Sequence, residues 1–266
     1  MPPIDFQTYW GIFPLGIAIS TLAMLTGIDG AAFWGPALLL LYGVDPAVAV
    51  ACGIFIEVFG FGSGVYGYAR RGKILFRYAL PFLVVAVPFG LAGAYISKTL
   101  SPTAIAAAIG IGCLFLAYRN FERARLSIQE TAPDSLHIEN KSAGYLLSGI
   151  GGFFTGVIGF GLGETNNYYL LIKNRFPATY ATGTTVFMIA LTAFAASLFN
   201  VFYFKQAAQL DLTRIYSIVV FAVPAVLIGG QLGVRLAHII CRPVLHYVLV
   251  AVFILMAVMS FTRTFR

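Results

Sequence analysis

Residues 25–36 read Leu25-Thr26-Gly27-Ile28-Asp29-Gly30-Ala31-Ala32-Phe33-Trp34-Gly35-Pro36, and the reading of the whole chain turns on them. Glycines, a proline and a lone carboxylate interrupt a long apolar run. A second such stretch returns at Phe154-Thr155-Gly156-Val157-Ile158-Gly159-Phe160-Gly161-Leu162-Gly163-Glu164. Both contain Thr-Gly-x-x-Gly, and both carry one acid. Glycine and proline weaken a helix. A helix broken at membrane depth exposes backbone groups that lipid cannot satisfy, so such breaks persist where protein buries them or where they line a cavity.

The apolar runs around these stretches identify a polytopic membrane protein. The 266 residues are 59% hydrophobic and 10% charged, with mean hydropathy +0.87. A soluble domain carries about 25% charged residues. The expected fold is an all-α membrane bundle of about eight spans, formed by a single transporter domain over 1–266. Two homologous halves are expected, each with a broken or re-entrant short helix. Repeat 1 covers about 9–118, a cytoplasmic linker about 119–142, and repeat 2 about 143–263.

Apolar length marks the spans, since a crossing helix needs about 20 residues. Tyr9 to Ile28, Ala47 to Tyr68, Tyr78 to Ile96 and Pro102 to Tyr118 form the first set. Gly144 to Gly161, Ala178 to Phe204, Ile215 to Leu236 and Val244 to Phe261 form the second. Ala31 to Gly43 and Glu164 to Ile172 are the short segments. Three ordered matches relate the halves: Thr26-Gly27 and Gly30 with Thr155-Gly156 and Gly159, Pro46-Ala47 with Pro177-Ala178, and Val87-Pro88 and Gly93 with Val223-Pro224 and Gly229. Internal repeats of this kind are a common build of secondary transporters.

The net charge of +7 resides between the apolar runs, so it reads as topology and gives no basic stripe for nucleic acid. If each broken segment makes one crossing, there are eight spans. If each short segment crosses separately, there are ten, and the halves are inverted. Both arrangements put the linker and the Arg70–Arg77 loop inside, so charge does not choose between them. A multi-pass protein of a bacterial inner membrane is expected.

Three acids fall within apolar runs: Asp29, Glu57 and Glu164. A charge at the bilayer centre is costly, so such residues face the bundle interior and are candidates for proton coupling or gating. The alternative is a protonated acid that joins two helices. A half-helix that starts at a glycine turn offers free N–H groups to an anion. Gly27, Gly30, Ala31, Gly159 and Gly161 are therefore candidate substrate-binding positions, together with the polar donors Asn166, Asn167 and Thr184. Close packing is the competing role for the glycines, and it suits Gly60-x-x-x-Gly64 and Gly152-x-x-x-Gly156 better.

Enzyme and metal motifs are missing. There is no His-Glu-x-x-His, and Cys52, Cys113 and Cys241 show no paired metal spacing. No cofactor, metal or catalytic residue is expected. His137, His238 and His246 lie in the linker or at span boundaries.

At this point the residues resemble the TauE/SafE family of sulfite and organosulfonate exporters. The match runs through Gly27-Ile28-Asp29-Gly30 to Pro36, Gly43-Val44-Asp45-Pro46-Ala47 and Arg71-Gly72-Lys73-Ile74. It continues in Gly156-Val157-Ile158-Gly159-Phe160-Gly161, Pro177-Ala178, Ala181-Thr182-Gly183-Thr184 and Gly229-Gly230-Gln231-Leu232-Gly233-Val234-Arg235-Leu236. The chain departs from the family pattern at Asp29 and Ala31-Ala32, where the family has glycines, and at Glu164-Thr165-Asn166-Asn167, where it has a route to proline. The resemblance implies a secondary transporter that exports a small anion, sulfite or an organosulfonate, by alternating access. Membrane lipid and coupling protons are the other expected partners. A channel-like pore and a non-transporting structural membrane protein are the alternatives.

Overall fold

The computed structural model describes residues 6–125, 136, 138, 140–207, 212–237, 239 and 242–264. The ordered elements are α1 (Phe6–Tyr9), α2 (Ile12–Thr26), α3 (Ala31–Leu41), α4 (Pro46–Arg70), α5 (Phe76–Ser97) and α6 (Pro102–Arg125). Then follow α7 (Lys141–Ile158), α8 (Leu162–Asn167) with a π-helical turn (Tyr168–Lys173), α9 (Ala178–Ala207), α10 (Leu212–Leu236) and α11 (Arg242–Thr264). Among the described residues this is a helical membrane bundle, as expected. Seven candidate spans are long and apolar enough to cross a membrane. The remaining long helix, α7, has 18 residues and is Gly-rich. His137, His238, Cys241 and half of the linker lie outside the described residues.

Local chemistry sets the helix ends. Asp45 caps α4 by accepting from the Ala47 and Val48 N–H groups at 3.0 and 3.4 Å, with Pro46 at the first helical position. Asn140 caps α7 through the Ala143 N–H. Gly27 ends α2 and Gly159 ends α7, both left-handed, at φ 69° and 93°. That conformation strains any residue with a Cβ. Gly27 and Gly159 are alike in place and handedness, each closing the helix before a short one.

Helix directions follow from contacts. Tyr9 and Tyr42 stack at 5.5 Å between ring centroids, so α3 brings the chain back to the start of α2. The Tyr169 hydroxyl donates to the Asn140 carbonyl, so the π-helical turn likewise returns to the start of α7. Helices α4 and α9 are antiparallel, since Gly64 faces Val186 and Gly183 faces Tyr68. Helices α6 and α11 are also antiparallel, with Ser260 donating to the Ala106 carbonyl and His246 bonded to Asn120. Helix α2 runs parallel to α10, where Ser20 donates to the Val226 carbonyl and Thr21 to the Gly229 carbonyl. Helix α5 runs parallel to α7. Corresponding helices of the two halves thus point in opposite directions, the inverted arrangement.

Small residues allow the closest pairings. A Cβ at Gly156 would lie 2.0 Å from the Gly90 carbonyl oxygen, and one at Gly93 would lie 2.1 Å from that of Phe153. Backbones of α5 and α7 therefore touch directly. Helix α3 is buried from Ala31 to Leu39 and apolar all round, as a helix enclosed by protein must be. Tyr68, near the end of α4, is buried, and its hydroxyl donates to the Met24 carbonyl at 2.8 Å. Asn120 and Arg123, expected in an exposed linker, are buried on α6, which extends past Tyr118 to Arg125.

Candidate functional site

The two breaks meet inside the bundle. A Cβ at Gly159 would contact Ala31 at 3.2 Å, and one at Gly163 would come within 2.7 Å of the Gly27 carbonyl oxygen. The short helices α3 and α8 thus begin side by side. The first turn of a helix has N–H groups without intrahelical partners, and its dipole favours negative charge.

Carboxylates fill both helix starts. Asp29 Oδ2 accepts from the Gly161 N–H at 2.7 Å and the Gly163 N–H at 2.9 Å, reaching from the first break into the second. Glu57 Oε1, on α4, accepts from the Ala31 N–H at 3.3 Å. Both side chains are buried, Asp29 completely. The first half supplies both carboxylates.

Glu164 lies in the first turn of α8. Neither of its carboxyl oxygens accepts from a nitrogen or hydroxyl. Its carboxyl adjoins that of Asp29. Two carboxyls in contact form a hydrogen bond only when they hold a proton. Asp29 Oδ1 and Glu57 Oε2 also lack partners.

The structure brings Gly27, Gly30, Ala31, Gly159, Gly161, Asp29, Glu57, Glu164 and Asn167 together. Asn167 Nδ2 donates to the Thr26 carbonyl at 2.5 Å, tying α8 to the end of α2, while its Oδ1 has no partner. Asn166 is turned toward α7, where its Oδ1 accepts from Ser148 at 2.7 Å. Thr184 accepts from the Leu75 N–H at 3.0 Å, at the start of α5. Thr182 is the α9 threonine nearest the break, 3.3 Å from where a Gly27 Cβ would stand.

The sequence profile of the sulfite exporter TauE/SafE family matches residues 12–260, which includes both breaks and every helix from α2 to α10. The chain belongs to the TauE/SafE family. It is 23% identical over 239 residues to the probable membrane transporter protein YunE of Bacillus subtilis (strain 168), covering 82% of this chain and 85% of that one. It is 24% identical over 248 residues to the probable membrane transporter protein YjnA of the same organism, covering 84% and 90%. No solved structure matches. This TauE/SafE chain is therefore a multi-pass membrane transporter, a role that fits its long apolar helices.

One residue of the TauE/SafE site was hidden in the sequence by the charged run that begins at Arg119. Arg123 is buried, and its Nη2 donates to the Glu164 carbonyl at 3.3 Å, while its Nε has no partner. It places a guanidinium beside Glu164, the outermost carboxyl of the cluster toward α6. The signal was periodic. Ile109, Cys113, Leu116, Asn120 and Arg123 form one buried stripe at helical spacing. The stripe continues through the point where hydropathy falls.

Proposed function

We propose that this transporter is a secondary carrier that exports a small anion, sulfite or an organosulfonate, by alternating access coupled to protons. The observation that carries the proposal is Asp29 Oδ2 on the Gly161 and Gly163 N–H groups. Paired backbone donors at a helix start recognise an oxyanion whoever supplies it. A sulfite or sulfonate oxygen has the same acceptor chemistry as the carboxylate now seated there. The anion enters as Asp29 takes a proton and leaves the seat, and that proton is shared with Glu164. The N–H groups of Ala31, Gly161 and Gly163 and the Asn167 amide then hold the substrate. Glu57 gates the start of α3, and Arg123 balances the charge of the cluster.

The inverted halves support alternation. Transporters of this build hold substrate between discontinuous helices and open to each side in turn as the repeats rock. Reconstitution tests the proposal. Saturable uptake with counterflow of sulfite or a small sulfonate, accompanied by proton movement, is the expected result. Ohmic conductance without counterflow overturns the carrier reading.

A further inference from the structure

A second place gathers charge that the fold leaves unanswered. The first turns of α5 and α7 enclose a cavity of about 90 Å³, lined by Arg77, Tyr78, Pro81, Phe82, Lys141 and Tyr145. Arg77 and Lys141 are exposed, and neither has a hydrogen bond or ion pair to a described residue. The Tyr78 hydroxyl is engaged by the Leu136 carbonyl at 2.8 Å. The Tyr145 ring packs edge-on against Phe82 at 5.2 Å, and its hydroxyl makes no hydrogen bond among the described residues. Two cations and a phenol thus converge on a small space, and no acid among the described residues lines it.

The surface beyond the cavity is of a different kind. Residues 78–97 of α5 and 142–158 of α7 include no charged side chain. Leu80 and Val84 on α5 and Leu146 and Ile150 on α7 are exposed. A ligand suited to this place has an anionic head and an apolar body. Free phosphate would leave the apolar faces unused. A zwitterionic lipid would bring a cation to a cavity whose described lining holds two cations and no acid. Basic pockets between spans on the cytoplasmic side, with tyrosines at the interface, suit anionic lipid head groups.

We infer that this cavity holds the phosphate of an anionic phospholipid whose acyl chains lie along the outer faces of α5 and α7. The site is separate from the breaks and stands independently of the transport reading. The test is native mass spectrometry of the purified full chain, titrated with phosphatidylglycerol or phosphatidylcholine. Two cations at the membrane surface predict a preference for phosphatidylglycerol of about thirtyfold. Arg77→Gln with Lys141→Gln removes that preference, and Arg77→Lys with Lys141→Arg keeps it. Arg70→Gln with Arg71→Gln takes the same charge from another part of the surface and leaves the preference intact. The inference is overturned if the first pair retains the preference, if the Arg70 and Arg71 pair lowers it equally, or if inorganic phosphate alone displaces the lipid.

Discussion

Asp29 and Gly161 lie 132 positions apart, yet the carboxylate of one sits 2.7 Å from the backbone nitrogen of the other. The contact crosses from one inverted half to the other. With the Gly163 N–H it satisfies two donors at the start of α8 that have no partner in their own helix. Asp29→Ala leaves the buried Gly163 donor and the half-buried Gly161 donor without this acceptor. A loss of about 1–3 kcal/mol per unsatisfied group is the scale to expect. Thermal unfolding in detergent reads it as a clear fall in Tm. Asp29→Asn keeps an acceptor oxygen and falls less.

Glu57 makes a related prediction with a different partner. Its Oε1 caps α3 at the Ala31 N–H. Glu57→Gln preserves an acceptor at that place and retains most of the stability. Glu57→Ala removes it and costs about 0.5–2 kcal/mol, the usual loss of a helix N-cap. The two variants are compared by Tm under one detergent condition.

Arg123 offers the sharpest contrast with a surface cation. It is buried and bonded to the Glu164 carbonyl, and Glu164 adjoins Asp29. Arg123→Met removes the guanidinium that adjoins Glu164. Transport measured against pH should change in profile as well as in rate, whereas Arg125→Met, at the exposed end of α6, should leave the profile alone. A purely structural role for Arg123 would lower the amplitude and keep the profile.

Much of this architecture was legible in the sequence. Apolar runs located the eight long helices and two short ones, because each long run falls near the roughly 17–25 residues that a span needs and each short one is bounded by glycine or proline. The three acids stood out for the same reason, since the one other charge in those runs, Arg235, stands at the very end of its run. The direction of α3 was not legible. Hydropathy measures apolar length and is blind to whether the chain turns back at Gly27, and the Lys and Arg distribution fits either arrangement. The partners of Asn166 and Thr184 were also hidden. Ser148 and the Leu75 N–H reach them only through tertiary packing. Arg123 was missed because a charged run resembles a loop, although its helical stripe persisted.

Gly35 and Gly156 separate space from crowding. A Cβ at Gly35 meets nothing within 4 Å, whereas one at Gly156 meets the Gly90 carbonyl oxygen at 2.0 Å. Gly35→Ala is expected to change Tm little, since the gain in helix propensity is offset by Pro36, whose ring disfavours a Cβ on the helical residue before it. Gly156→Ala must separate α5 from α7 and is expected to lower folded yield and Tm. Size-exclusion profiles and thermal unfolding of the two variants give the comparison.

Lys98 tests pH dependence outside the spans. It stands just past the end of α5, where burial lowers its amine to about 8 from the ordinary 10.5. The unfolded chain then holds more protons than the folded one between those values, so this residue makes stability rise as pH increases from about 8 toward 10.5. Lys98→Met removes that rise. Amine acylation followed by mass spectrometry should show Lys98 titrating near pH 8, ahead of exposed lysines.

The central claim is that the seat now holding Asp29 is the seat of the transported anion, and that Asp29 and Glu164 carry the proton that frees it. The direct measurement is counterflow of sulfite or a small sulfonate in proteoliposomes, for the wild-type chain and for Asp29→Asn combined with Glu164→Gln. Saturable wild-type counterflow that the combined variant abolishes or uncouples from proton movement is the predicted result. Flux and proton coupling left unchanged by the combined substitution would contradict it.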